Sequence, residues 1–248
     1  MPDAIHPVAA RGFGSSAERY ERGRPGYPSV AVRWMVERLG VGPGRTVCDV
    51  GAGTGKLTRD LTPTGAAILA VEPIDEMAHV GALQAPEAEF LRGTAEHLPF
   101  ADGAIDAITA GQAFHWFDHA RAWAEFHRVL SPGGGVGLIW NARDTSVPWV
   151  REVWAIMDRI EKTAPWRDHD GPVLEAGRGF SPLESATFHH EVDTTPAAMI
   201  DRVASVSHVA VLPDEKRHAV LDEIESVLPP GVAFGVPYRV DVYVTHRQ

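Results

Sequence analysis

Asp49, Gly51, Gly53 and Gly55 alternate along one short stretch, Asp49-Val50-Gly51-Ala52-Gly53-Thr54-Gly55, and Glu72 stands about twenty residues further on. Glycine permits positive φ and lets the backbone come close to a bound molecule, while the first turn of the helix that follows exposes N–H groups with no intrahelical acceptor. A carboxylate at the distance of Glu72 is placed to accept hydrogen bonds from ribose hydroxyls. This combination grips a nucleoside-containing ligand. A dinucleotide fingerprint requires its third glycine where Lys56 stands, one place after Gly55, so the spacing counts against a nicotinamide-dependent oxidoreductase.

A second group with chemical potential is Gln112-Ala113-Phe114-His115-Trp116-Phe117. His115 is the residue of this segment that exchanges a proton near neutral pH, which makes it a candidate base or orienting group. His115 and His119 have the i, i+4 spacing of a helical metal pair, but Trp116 occupies the place where a zinc-protease pattern requires Glu, and no third ligand is evident. No metal site is expected. His189 and His190 are adjacent in an extended stretch and face opposite ways, so they do not act together. Cys48 has no partner for an intrachain disulfide and sits inside an apolar run, as a packing residue does.

These residues need elements to hold them. Apolar runs over 46–50 and 66–71 read as strands, with 56–61 as the helix between them, and 88–91, 105–110 and 136–140 read as further strands. Helical apolar spacing over 119–130 ends at Ser131-Pro132-Gly133-Gly134. Alternating strands and helices give a parallel sheet whose loops meet along one edge, where ligands bind. From Asn141 onward the pattern changes: 149–162 reads as a helix, 165–179 as a loop, 186–192 as a strand, 196–212 and 214–228 as helices, and 238–245 as a final strand.

The chain of 248 residues is long enough for one elaborated α/β domain. A formal net charge of −10 with no long Lys/Arg cluster argues against tracking a phosphate backbone, so no nucleic-acid partner is expected. There is no apolar core of signal-peptide length at the start and no span of about 20 apolar residues, which points to a cytoplasmic protein with no membrane partner.

Asp49-x-Gly51-x-Gly53-x-Gly55 resembles the first motif of the class I S-adenosylmethionine-dependent methyltransferases, and other motifs follow in the family's order. Gly93-Thr94-Ala95-Glu96-x-Leu98-Pro99-Phe100 looks like the third, Asp106 with 112–117 like the fourth, and Arg128-Val129-Leu130-Ser131-Pro132-Gly133-Gly134 like the turn before the fifth strand. The segment 13–20, Arg24-Pro25-x-Tyr27-Pro28 and the terminal 236–243 are similar to small-molecule enzymes grouped with the trans-aconitate methyltransferases.

The resemblance implies a Rossmann-like fold, a seven-stranded mostly parallel sheet flanked by helices, with an N-terminal lid helix and a late helical cap. As one domain over 1–248, it would comprise a lid (1–40), a cofactor-binding core (41–142), an acceptor-site cap with the sixth strand (143–235) and a last strand (236–248). The implied cofactor set is Tyr20 and Arg24 at its carboxylate and amino end, Asp49, Gly51, Ala52, Gly53 and Gly55 in the loop under its methionine part, Glu72 at its ribose, Ala95 and Glu96 beside its adenine, and Pro73, Met77, Thr94 and Gln112 as further cofactor contacts. Gln112 and His115, directly after the fourth strand, would face the methyl group as the catalytic candidates.

The expected activity is transfer of a methyl group to an O, N or C atom of a small metabolite, in specialised metabolism, by a monomer or homodimer. Trp140, Asn141, Arg143, Trp149, Trp154, Trp166 and His208 are candidates for an acceptor pocket. The alternative is a protein that keeps the cofactor pocket but serves as a cyclase, or binds and regulates without catalysis.

Overall fold

The structure, a computed structural model, describes residues 17, 21, 24–161 and 175–248. Tyr20 and Trp166 lie outside the described residues, as do most of 13–20 and the side chain of His208. Helix α1 (Ser29–Leu39) leads into β1 (Thr46–Val50), followed by α2 (Lys56–Leu61), β2 (Ala67–Val71), α3 (Asp75–Gln84) and β3 (Glu89–Leu91). Next come β4 (Ile105–Gly111), a 3-10 turn (Phe114–Trp116), α4 (His119–Val129) and β5 (Leu130–Arg143). The remaining elements are α5 (Pro148–Glu161), β6 (Glu184–Thr194), α6 (Pro196–Ala204), α7 (Ser207–Ala210), α8 (Asp214–Val227) and β7 (Phe234–His246).

The strands form one seven-stranded sheet in the order β3-β2-β1-β4-β5-β7-β6. Pairing is parallel from β3 through β5, and β7 runs antiparallel to both of its neighbours. Helices on both faces explain why β1 reads as a continuous apolar run, since alternate residues enter different cores. Val47 belongs to the core that also holds buried residues of α1, α2, α5, α6 and α8, whereas Cys48 belongs to the one that holds Ala122, Trp123, Phe126 and Val129 of α4. The edge strand β6 alternates exposed and half-buried residues, as a strand covered on one face does.

Two boundaries differ from the sequence expectation. The helix expected over 196–212 breaks after Ala204, where the Ser205 hydroxyl donates to the Arg202 carbonyl at 2.6 Å and competes with continuation of the helix. Strand β5 begins at Leu130 rather than 136, because pairing with β4 resumes across an irregularity between Ile105 and Ala107 that absorbs the Ser131–Gly134 turn. Among the described residues, no helix is long and apolar enough to cross a membrane.

Candidate active site

A cavity of about 570 Å³ opens at the C-terminal ends of β1, β2, β4 and β5, within the size range of small-ligand sites. Strand order reverses between β1 and β4, so the crevice lies at the switch point where α/β sheets bind ligands. Its floor is the glycine turn. Gly51 and Ala52 donate their N–H groups to the Val71 carbonyl at 2.8 and 3.2 Å, tying the turn to β2. Gly51 has φ +67°, and a Cβ there would stand 2.7 Å from the Ala113 Cβ, so conformation and space both require glycine. Gly53 and Ala52 line the cavity, whereas Gly55 begins α2 and faces the Gly81 backbone of α3, outside the cavity lining.

Two carboxylates carry the buried charge of the site. Asp49 is fully buried and accepts from the hydroxyls of Thr58 at 2.6 Å and Thr109 at 2.9 Å. Burial pushes its pKa from 3.8 to about 6, against these two hydrogen bonds. Glu72, 6% exposed, accepts from Gly53 N–H and Ile74 N–H, both at 2.9 Å, so one carboxylate ties the glycine turn to the chain leaving β2. Burial raises its pKa from 4.5 to about 7. A carboxylate oxygen has two acceptor positions, so the pair retains capacity for ligand hydroxyls.

Pro73, Met77, Thr94, Ala95 and Glu96 line the cavity at the Glu72 end, and Asp118 and Arg121 line it as well. Glu96 is fixed by the Asp118 N–H, which donates to its carboxylate at 2.8 Å. The other end is formed by Arg24, Tyr27, Gln112, Trp116, Asn141 and Arg202.

Gln112 is the non-glycine residue with positive φ among those described, at 55°. Such a conformation costs of order 1–2 kcal/mol and persists where neighbours enforce it. Here its N–H donates to the Ile139 carbonyl at 3.0 Å and its side-chain amide to the Asn141 carbonyl at 2.9 Å, locking the end of β4 against β5.

His115 lies elsewhere. It is exposed on the 3-10 turn, outside the cavity lining, and its Nδ1 accepts from the Trp140 indole at 3.5 Å. His119 stacks on Phe114 with ring centroids 4.6 Å apart. Among the described residues, no group of three or more His, Cys, Asp or Glu could hold a metal ion. His189 is exposed while His190 turns inward toward Tyr238 and Asn141, so the two face opposite ways as the strand requires. Burial raises the Cys48 thiol pKa, in keeping with a packing role.

Two features escaped the sequence. Glu21 accepts from the Thr54 hydroxyl at 2.6 Å and pairs with Lys56 at 2.9 Å, while Ala17 packs on Ile74 and Met77, so these two residues are fastened beside the cavity. In the sequence, Lys56 stands out only as the residue where a dinucleotide fingerprint has glycine. Arg202 of α6 projects into the far end of the cavity. Its signal was a charged residue at the i+3 place between the buried Met199 and Val203, on the apolar face of an amphipathic helix.

A methyltransferase-domain family model matches residues 48–137. An uncharacterised methyltransferase of Mycobacterium tuberculosis strain H37Rv is 42% identical over 219 residues, covering 87% of this chain and 85% of the relative. One from Schizosaccharomyces pombe, methyltransferase-like in name, is 33% identical over 225 residues, covering 88% and 87%. Among solved structures, one assigned to a type II methyltransferase of Anaeromyxobacter dehalogenans superposes with a TM-score of 0.60 at 24% identity, over 90% of this chain and 96% of that one. Family relationship, sheet order and the glycine-turn geometry agree, and the chain belongs to the class I S-adenosylmethionine-dependent methyltransferases.

Proposed function

We propose that the cavity holds S-adenosylmethionine with its ribose hydroxyls on Glu72, its adenine beside Thr94, Ala95 and Glu96, and its methionine part over the glycine turn toward Arg24, and that the methyl group passes to a small-molecule acceptor. The observation that carries this reading is the buried Glu72 carboxylate, aimed into the cavity and braced by two backbone N–H groups. The fit extends to Gly51, whose missing Cβ lets the turn lie against the β4 loop beneath the ligand. When bound, the cofactor supplies an electrophilic methyl group on a sulfonium.

The chain's contribution is alignment and exclusion of water. Gln112, locked by Asn141, fixes the wall beside the reacting centre. The aromatic faces of Tyr27, Trp116 and Phe117 line the same space, attract positive charge and shut out solvent. Lys56 and Thr54 hold Glu21, three residues before Arg24 in the chain. The base role expected of His115 forms no part of this proposal, since its ring stands outside the cavity with Nδ1 engaged by Trp140. The likeness of the outer segments to the trans-aconitate group supports a small acceptor.

Thermal unfolding tests the reading. S-adenosylhomocysteine at 100 times its Kd would stabilise the protein by about 2.7 kcal/mol, while NAD at the same concentration leaves it unchanged. Stabilisation by NAD alone refutes the assignment.

A further inference from the structure

The peptide group between Gly26 and Tyr27 is held from two sides. Its carbonyl accepts from the Asn141 side-chain amide at 3.1 Å, at the end of β5, and its N–H, that of Tyr27, donates to the carboxylate of Asp60 in α2. Pro25 and Pro28 flank this pair of residues and have no N–H, so the strap 24–28 offers few other backbone donors for anchorage. Arg24 and Tyr27 of the strap line the cavity. Tyr27 lies across the end of β4, where a Cβ on Gly111 would stand 2.5 Å from its hydroxyl oxygen, one residue before Gln112. Asn141 also receives the Gln112 side chain on its main-chain carbonyl at 2.9 Å, so one residue of β5 fastens both the strap and the end of β4.

The Asn141 amide can do this only when it faces one way. A carbonyl oxygen accepts and never donates, so the amide nitrogen turns to Gly26 and Oδ1 turns away from it, to His190 Nε2 of β6 at 3.4 Å. Oδ1 is itself an acceptor, which assigns the imidazole proton to Nε2. Burial lowers the His190 pKa from 6.5, so at pH 7 the ring is chiefly neutral and has a single N–H to give. The ring is half-buried, stands outside the cavity lining and tilts against Tyr238 with centroids 5.4 Å apart. The last torsion of an asparagine side chain is soft, so a donor on Oδ1 decides how firmly the nitrogen stays on Gly26.

We propose that His190 is a positioning residue for the ligand cavity: by donating to Asn141 Oδ1 it holds the Asn141 amide on Gly26, and so keeps Tyr27 against Gly111 beside Gln112. It acts through Asn141 and touches no ligand. Its effect on a bound molecule rests on the reading that this cavity holds the cofactor, and is felt in how long that molecule stays rather than in how fast it enters.

The test separates the two things His190 does. His190→Phe keeps a ring on Tyr238 and removes the donor, whereas His190→Gln gives up the ring and keeps an N–H donor near the place of Nε2. Full-length proteins are loaded with labelled S-adenosylhomocysteine and chased with an excess of the unlabelled compound. Loss of one hydrogen bond in His190→Phe is expected to raise the dissociation rate roughly threefold to tenfold, with His190→Gln within about twofold of wild type. In the free proteins, amide hydrogen exchange at Tyr27 should be faster in His190→Phe than in wild type and near wild type in His190→Gln. Once Asn141→Leu has removed the intermediary, adding His190→Phe should change neither readout further. Should His190→Phe not fold, His190→Leu takes its place with the same expectations.

A His190→Phe protein that matches wild type in both readouts overturns the proposal. So does a His190→Gln protein as impaired as His190→Phe, which would make the ring on Tyr238 the feature that matters, or a full effect of His190→Phe in the Asn141→Leu background. Failure of wild type to bind S-adenosylhomocysteine refutes the cofactor reading instead, and the exchange rates at Tyr27 then decide the positioning role by themselves.

Discussion

Replacing Glu72 with alanine removes the one carboxylate that joins the glycine turn, the end of β2 and the cavity. A hydrogen bond to a charged group contributes about 1.5–3 kcal/mol, so losing the ribose contacts weakens S-adenosylhomocysteine binding by about ten- to hundredfold. The pH dependence sharpens the expectation. Burial raises the Glu72 pKa to about 7 in the free protein, and ligand hydroxyls donate best to the ionised form. Wild-type affinity should therefore fall roughly tenfold from pH 8 to pH 6, while the alanine variant shows no such change.

The free protein should show the opposite trend. Because folding raises this pKa above its ordinary 4.5, Glu72 contributes most to stability below about pH 4.5, and that contribution is lost as pH rises through about 7. Relative to Glu72→Ala, wild type loses about 3 kcal/mol over this range. Calorimetric titrations at pH 6, 7 and 8 with both proteins, plus denaturant melts without ligand, measure both effects. An alanine variant within twofold of wild-type affinity at every pH would refute the assignment of Glu72 to the ribose.

Gly51→Ala adds a Cβ 2.7 Å from that of Ala113 at a positive φ, so it should destabilise the fold by about 1–3 kcal/mol and weaken cofactor binding; a denaturant melt superimposable on wild type contradicts the geometry. His115→Asn should leave turnover within about threefold, since the ring is exposed and outside the cavity. A loss of two orders of magnitude in turnover would return the proton-transfer role to His115. Lys56→Met removes the cation paired with Glu21, so backbone hydrogen exchange at Glu21 and Arg24 should be faster than in wild type with S-adenosylhomocysteine present; equal rates mean that the pair does not fasten this segment.

Most of the Glu72 end of the cavity was legible in the sequence because its determinants are local. Alternating glycines, an acid at the end of the next strand and a Gly-Thr-Ala-Glu turn each follow directly from a strand, so the parallel sheet brings them to one edge without further information. The end that holds Arg202 was not legible in the same way. Arg202 reaches the cavity only because α6 packs on α8 and lies over Tyr238 of β7, partners distant in the chain whose pairing leaves no spacing to read. His115 shows the converse: its place after β4 suggested the reacting centre, but a 3-10 turn rotates Trp116 toward the cavity and His115 away from it. The break after Ala204 depends on the hydroxyl of Ser205 bonding backward, which apolar periodicity does not register.

The most direct measurement is a crystal structure of the protein with S-adenosylhomocysteine. It should show both ribose hydroxyls within hydrogen-bond distance of the Glu72 carboxylate, the adenine beside Ala95 and Glu96, and the sulfur on the Gln112 side of the glycine turn. A ligand whose ribose lies away from Glu72, or whose adenine occupies the Arg202 end, would contradict this placement.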